Sequence, residues 1–171
     1  MNDVKFRKAK ECEIKKIYEL CEEIKKDYPL WDEEYPVFDN FLESYEEDGL
    51  FVLCINNEII GSISLETSSW RADSISISRF MVKEEYRRHG YGRLMFSKIE
   101  NVIRERGFEY ADLFARNDHP FAIKMYEKFG YQNLGKFDTE WCDNITEYYY
   151  LFVKKLKWKR YSKVVIYWYL W

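Results

Sequence analysis

The sequence predicts an α+β fold, a mixed α/β sheet in which some strands are joined by hairpins and others by helices. Three observations carry this. Apolar residues switch repeatedly between alternating and helical spacing, an Asn56-Asn57 dipeptide separates two β-rich runs, and Gly or Pro closes every helical pattern. The chain has 171 residues, 47% hydrophobic and 33% charged, with only 7 Gly and 3 Pro, the make-up of one globular domain rather than of a disordered or low-complexity segment.

Val4 to Ala9 alternates charged and apolar residues as a first strand does, and Ile14, Ile17, Tyr18, Cys21 and Ile24 then recur at helical spacing up to Tyr28-Pro29. After a loop, Val37, Phe38, Phe41, Leu42 and Tyr45 mark a second amphipathic helix stopped by Gly49. Leu50 to Ile55 and Glu58 to Glu66 are strands, and Asn56-Asn57 between them suits the positive φ angles of a tight hairpin. Ser74 to Val82 starts with Ile75 and Ile77 on one face and resumes with Phe80 and Val82, a one-residue slip that predicts a β-bulge near Ser78-Arg79. A helix from Gly92 to Arg106 buries Leu94, Met95, Ile99, Val102 and Ile103. Strand Tyr110 to Ala115, a short helix opened by Asp118-His119-Pro120 and closed by Gly130, and strands Tyr131 to Gly135 and Thr146 to Val153 complete the order β-α-α-β-β-β-α-β-α-β-β.

Composition narrows the chemistry. Cys12, Cys21, Cys54 and Cys142 stand far apart with no CxxC, which predicts free, partly buried thiols rather than a zinc site or a disulfide framework. His89 and His119 are the only histidines, too few to favour a metal centre, and the net charge of −3 argues against a nucleic-acid binder. No apolar run approaches the roughly 20 residues that cross a bilayer, and the polar start lacks a signal peptide's apolar stretch, so the expected location is cytoplasmic.

Between the bulged strand and the long helix lies Arg87-Arg88-His89-Gly90-Tyr91-Gly92, where backbone N–H groups and the helix dipole can hold an anion. Met95 stands where a dinucleotide fingerprint would need its third glycine, and no Gly-Lys-Ser/Thr is present for a Walker loop. The Arg-x-x-Gly-x-Gly spacing resembles the coenzyme A pyrophosphate loop of the GCN5-related N-acetyltransferase (GNAT) family. Ala115-Arg116-Asn117, followed by Ala122, Tyr126 and Phe129-Gly130-Tyr131, is similar to that family's second cofactor segment. The resemblance covers roughly residues 4 to 155, which defines an acetyltransferase domain over 1–155 and leaves 156–171 as a basic-aromatic extension.

The resemblance implies a mostly antiparallel sheet of about seven strands that splays after the bulged fourth strand, with about four helices, and acetyl-CoA as co-substrate without a metal. It assigns the pyrophosphate to the loop Arg87, Arg88, His89, Gly90, Tyr91, Gly92 and Arg93. It gives the pantetheine arm to the backbone of Phe80, Met81 and Val82, with a contact from Asn117, whose alternative reading is a turn-forming residue. Acetyl transfer to an amine needs an N–H donor for the oxyanion and a route for protons. The family places the donor near Met81 and Val82 and a proton donor for the departing thiolate at Tyr126, which by spacing alone is equally a core aromatic. Glu66 is the candidate base, although an ordinary exposed strand carboxylate would look the same.

From Asp27 to Trp70 there are 11 carboxylates and no Lys or Arg. In this family the region between the first two helices borders the acceptor site, so a negative rim with Trp31 and Tyr35 would attract a cationic small molecule or basic peptide. A solvated acidic face with the two aromatics packing a loop is the other reading. Six of the ten residues from Lys154 to Lys163 are basic, ahead of the apolar ending Val164 to Trp171. That ending is expected to be covered at a homodimer or intramolecular interface, with an anionic lipid surface as the rival. Competing with an N-acetyltransferase are a non-catalytic acyl-CoA-binding or regulatory module and a surface-associated interaction protein.

Overall fold

A computed structural model describes residues 3–26, 36–117, 119–137 and 148–156. Seven strands and four helices follow one another as β1 (Val4–Lys8), α1 (Ile14–Lys25), α2 (Phe38–Glu46), β2 (Leu50–Ile55), β3 (Glu58–Thr67), β4 (Ser74–Val82), α3 (Tyr91–Glu105), β5 (Tyr110–Arg116), α4 (Pro120–Lys128), β6 (Gln132–Phe137) and β7 (Tyr149–Lys155). They form one sheet in the order β1-β2-β3-β4-β5-β7-β6, antiparallel throughout except for β4 against β5. The expected mixed α/β sheet, the element order and the number of strands and helices are all present.

Alternation sorts the strand residues onto two faces. Leu53, Ile63, Leu65, Ile75, Ile77, Leu113 and Phe152 point to one side and pack with Met95, Phe96, Ile99 and Ile103 of α3, while α4 adds the partly buried Ile123 and Tyr126. The other side carries Leu50, Val52, Cys54 and Met81 against Ile14, Ile17, Leu20, Cys21 and Ile24 of α1 and Phe41 of α2. Phe96, which the spacing of the helix did not single out, is the hub of the first core. Its ring lies 5.0 Å from Phe80, 5.8 Å from Tyr126, 4.9 Å from Phe129 and 5.7 Å from Tyr131.

Two turn readings are confirmed in detail. Asn56 and Asn57 both take positive φ, 50° and 68°, which a tight hairpin requires and Asn tolerates. In the β3–β4 ladder Ser64 faces Ser78 but Ser62 faces Met81, so β4 spends one residue more than β3 over that stretch, and Arg79 sits at the bulge with φ 44°. Smaller differences lie at the ends. The sixth and seventh strands start later than the sequence predicts because Tyr131 turns into the core and pairing of β7 begins at Tyr149. Among the cysteines, Cys21 and Cys54 are buried, Cys12 is exposed and Cys142 falls outside the described residues. Residues 157–171 also fall outside them, and with them the expectation placed on the apolar ending. No helix among the described residues is long and apolar enough to cross a membrane.

Candidate functional site

The site begins where β4 and β5 separate. They are paired only from Ser74↔Tyr110 to Ser76↔Asp112; beyond that rung β4 continues to Val82 on β3 alone, and β5 continues to Arg116 on β7 alone. A wedge therefore opens between two strand edges. The resemblance implied this splay, and the bulge at Arg79 increases the local twist that drives it.

On the β4 side of the wedge, backbone direction can be read from three contacts. Lys83 N–H donates to the Ile60 carbonyl at 2.8 Å, which makes the rung two residues back, Met81 opposite Ser62, face β3 as well. The Met81 carbonyl would lie 2.5 Å from a Cβ placed on Gly61, again toward β3. Val82 is turned the other way, and its carbonyl accepts Arg87 Nε at 2.9 Å. Val82 thus presents its N–H to the open side, whereas the polar groups of Met81 are spent inside the sheet and its side chain is buried under α1 and α2. Phe80 points to the opposite face, against Phe96 and the start of α3.

The loop above the wedge is a concave run of backbone amides. Arg88 has φ 63° and Gly90 φ 85°, and this repeated left-handed backbone turns successive N–H groups to one side. The bonding of α3 starts with Leu94 N–H on the Gly90 carbonyl at 3.0 Å, which leaves Tyr91, Gly92 and Arg93 as the unbonded first turn, the positive end of a 15-residue helix. A Cβ on Gly92 would stand 3.1 Å from the tip of the Phe80 ring, so a larger residue fits only if that ring gives way, while nothing lies within 4 Å of where a Gly90 Cβ would be. The loop is tied down from below. Glu58 on β3 accepts Lys83 Nζ at 2.5 Å and the Tyr86 hydroxyl at 3.2 Å, and His89 Nδ1 donates to the Arg87 carbonyl at 2.7 Å. Arg88 and Arg93 are exposed, the latter 5.6 Å over the Phe129 ring.

Tyr126 lies on the α3 and α4 side of the sheet, 5.8 Å from Phe96 of α3 and 5.8 Å from Phe152, the β7 partner of Leu113. Its hydroxyl makes no hydrogen bond to any described residue, and burial pushes the phenol up to about 12. The group stays protonated at neutral pH and is available as a donor. Asn117 accepts Tyr148 N–H at 3.2 Å through Oδ1, and its own N–H donates to the Tyr148 carbonyl at 3.0 Å. Its side-chain oxygen therefore closes the β5–β7 ladder, as the turn-forming reading expected.

Glu66 lies on the opposite face from Ile63 and Leu65, as expected, but its carboxylate is not idle. It forms an ion pair with Arg79, whose side chain is only 6% exposed and also donates to the Ser44 hydroxyl of α2. An acceptor proton would have to compete with a buried guanidinium for that carboxylate. The structure therefore gives Glu66 the work of holding Arg79, and through it the bulge. Arg79 was missed in the sequence, although a lone charge at the phase slip of an otherwise Ser/Ile strand was its signal. Trp31 and Tyr35 lie outside the described residues. Among the described residues, no three His, Cys, Asp or Glu side chains converge as metal donors.

A family model described as "Acetyltransferase (GNAT) family" matches residues 15–131. The chain belongs to the GNAT acetyltransferase family. Solved GNAT structures share its fold at low identity. The acetyltransferase yncA of Salmonella typhimurium, described as putative and solved with acetyl-CoA, superposes with a TM-score of 0.72 at 16% identity, covering 95% of this chain and 99% of that one. The ribosomal-protein-S18-alanine N-acetyltransferase of Escherichia coli gives 0.72 at 15%, covering 94% and 99%. A spermidine N-acetyltransferase chimera from Vibrio cholerae and hSSAT gives 0.71 at 17%, covering 90% and 95%. A search of curated proteins returns no match.

Proposed function

We propose that this GNAT acetyltransferase moves the acetyl group of acetyl-CoA directly to the primary amine of a small cationic molecule or a peptide. The observation that carries the reading is the wedge between β4 and β5 with a preorganised amide loop at its mouth, and the Tyr126 hydroxyl, bonded to no described residue, on the α3 side of the same sheet supports it.

The residues present fit the co-substrate. The open space at Gly90, the left-handed turns at Arg88 and Gly90 and the free first turn of α3 form a cradle for a pyrophosphate, with Arg88 and Arg93 adding charge from the rim. The outward N–H of Val82 and the backbone of Phe80 at the bulge offer the extended edge along which a pantetheine arm would lie, with Asn117 across the wedge. When bound, acetyl-CoA supplies an acetyl carbon activated as a thioester. The chain supplies an N–H toward the carbonyl oxygen from the β4 edge at Val82, and a phenol proton from Tyr126 toward the departing sulfur. A phenol bonded to no described residue supports turnover over simple acyl-CoA binding, because holding the ligand needs no free proton donor.

The acceptor reading draws on charge. The stretch from Asp27 to Trp70 has no cation of its own; Asp48, Glu58 and Glu66 are paired with Lys8, Lys83 and Arg79 from outside it, and a cationic amine would be drawn to the rest of that acidic stretch. Two of the structural neighbours act on a polyamine and on a protein alanine, both amines, which supports the reaction class without choosing between them. The test is to incubate the chain with acetyl-CoA and spermidine, n-butylamine or an alanine-initiated peptide while following free thiol. Amine-dependent thiol release is expected; tight acetyl-CoA binding with no release would assign the chain to a non-catalytic acyl-CoA module.

A further inference from the structure

The outer edge of β1 carries unpaired backbone groups. Ala9 N–H donates to the Leu50 carbonyl at 2.9 Å and Asn56 N–H to the Asp3 carbonyl at 2.9 Å, at the two ends of an unshifted β1–β2 ladder. Bonding alternates along an antiparallel pair, so Lys5 and Arg7 turn their backbone groups to β2, and Val4, Phe6 and Lys8 turn theirs outward. The Lys8 carbonyl accepts Arg7 Nη1 at 3.0 Å. The N–H and carbonyl of Val4 and of Phe6, and the Lys8 N–H, meet no described residue. The other edge strand, β6, is interrupted: its ladder shifts between Asn133 and Lys136, and Gly135 takes φ 102°. An irregular edge resists a further strand, whereas a straight one with unpaired groups accepts it.

Beside that edge lies an apolar floor. A groove of about 580 Å³ between β1 and α3 is lined by Val4, Lys5, Phe6, Arg7, Leu94 and Lys98. Phe6 is stacked on Phe51 at 5.6 Å, and Val4 is 39% exposed. The β1 strand of a second copy does not fit there. Either antiparallel register that engages both Val4 and Phe6 sets Lys5 opposite Lys5 or Arg7 of that copy, and like charges directly opposite destabilise a pair. An uncharged strand does fit. The segment Val164 to Trp171 has no charged side chain and consists of apolar residues, most of them β-branched or aromatic, the types that strands favour.

We propose that Val164 to Trp171 of a second copy adds as a strand to the outer edge of β1, with alternate side chains in the groove against Val4, Phe6 and Leu94. The chain's own segment falls short of that edge. In the sheet β7 lies five strands from β1, so a strand beyond β1 stands six spacings of about 4.8 Å, about 29 Å in all, from β7. The eight links from Leu156 to Val164 reach about 27 Å when fully extended, before rounding the loops at that end of the sheet. A second copy carries no such limit, and exchange of both segments closes a symmetric dimer in which each β1 edge is covered. The β4–β5 wedge and the amide loop stay open in that dimer, since β1 lies three strands from β4.

The test uses the full-length wild type, the chain lacking residues 164–171 and full-length Val4→Pro. Proline at position 4 removes only an outward N–H and so leaves the β1–β2 ladder intact. Sedimentation should show a wild-type dimer, a monomer once 164–171 are deleted, and self-association weakened about tenfold or more by Val4→Pro. Hydrogen exchange at the Val4, Phe6 and Lys8 amides should be about 100-fold slower in wild type than in the deletion. A monomeric wild type overturns the proposal: protected β1 amides in that monomer would place the chain's own segment on the edge, and binding to anionic vesicles that the deletion abolishes would give the segment to a lipid surface. A dimer that survives the deletion, or that Val4→Pro leaves at full strength, also overturns it, as do β1 amides that exchange equally fast in wild type and deletion. If Val4→Pro does not fold, the mass and amide exchange of the other two chains decide alone.

Discussion

Tyr126 is a packing residue to which the proposed reaction adds a chemical task. Its ring closes the aromatic cluster around Phe96, while its hydroxyl, bonded to no described residue, holds a proton that burial raises to about 12. Helical spacing in the sequence could not separate these roles, because core aromatics and donors recur at the same positions. The account predicts that Tyr126→Phe keeps acetyl-CoA affinity within about twofold and lowers turnover by about 100-fold or more, as loss of a general acid does. The same substitution has a signature in stability. The folded phenol holds its proton more tightly than the unfolded one at about 10, so its contribution is complete below pH 10 and is lost as the pH rises from 10 to about 12. Wild type should lose on the order of 2 kcal/mol over that window through this group, and Tyr126→Phe should not, as denaturant titrations at pH 9 and 12 would read. Unchanged turnover would assign Tyr126 to the core alone.

At the level of elements, the bulge in β4 organises the wedge, and it is held from outside the strand. Arg79 takes φ 44° and anchors to Glu66 on β3 and Ser44 on α2, joining two strands and a helix at the point where β4 changes phase. The bulge was legible in the sequence as a slip from Ile75 and Ile77 to Phe80 and Val82. Its anchor was not, since ion pairing between residues 13 positions apart depends on register. The same limit hid the grip of Glu58 on Lys83 and Tyr86. By contrast the Gly90 and Gly92 spacing, the Asn56-Asn57 turn and the helix stops were readable, because each is a local backbone requirement. Arg79→Ala leaves Glu66 without its partner and is predicted to destabilise the fold by about 1–3 kcal/mol, less than a fully buried pair because Glu66 remains partly exposed. Urea unfolding would check it, and a change under about 0.5 kcal/mol would show that the bulge does not depend on Arg79.

Across the whole molecule, the parts converge on one gap in one sheet. The one parallel pair among the described residues, β4 with β5, is joined through α3 as a parallel pair requires, and the amide loop lies on that connection beside the wedge. Solved GNAT structures share this fold at 15–17% identity with nearly complete coverage, and a shared fold does not itself choose the acceptor. The most direct measurement of the central claim is calorimetric titration of acetyl-CoA into the wild-type chain and into folded Gly90→Glu and Gly92→Glu variants. The account predicts saturable one-to-one binding to wild type and a loss of about 100-fold or more in each variant, because a carboxylate at the loop repels the pyrophosphate and, at Gly92, meets the Phe80 ring. Equal affinity in all three proteins would contradict it.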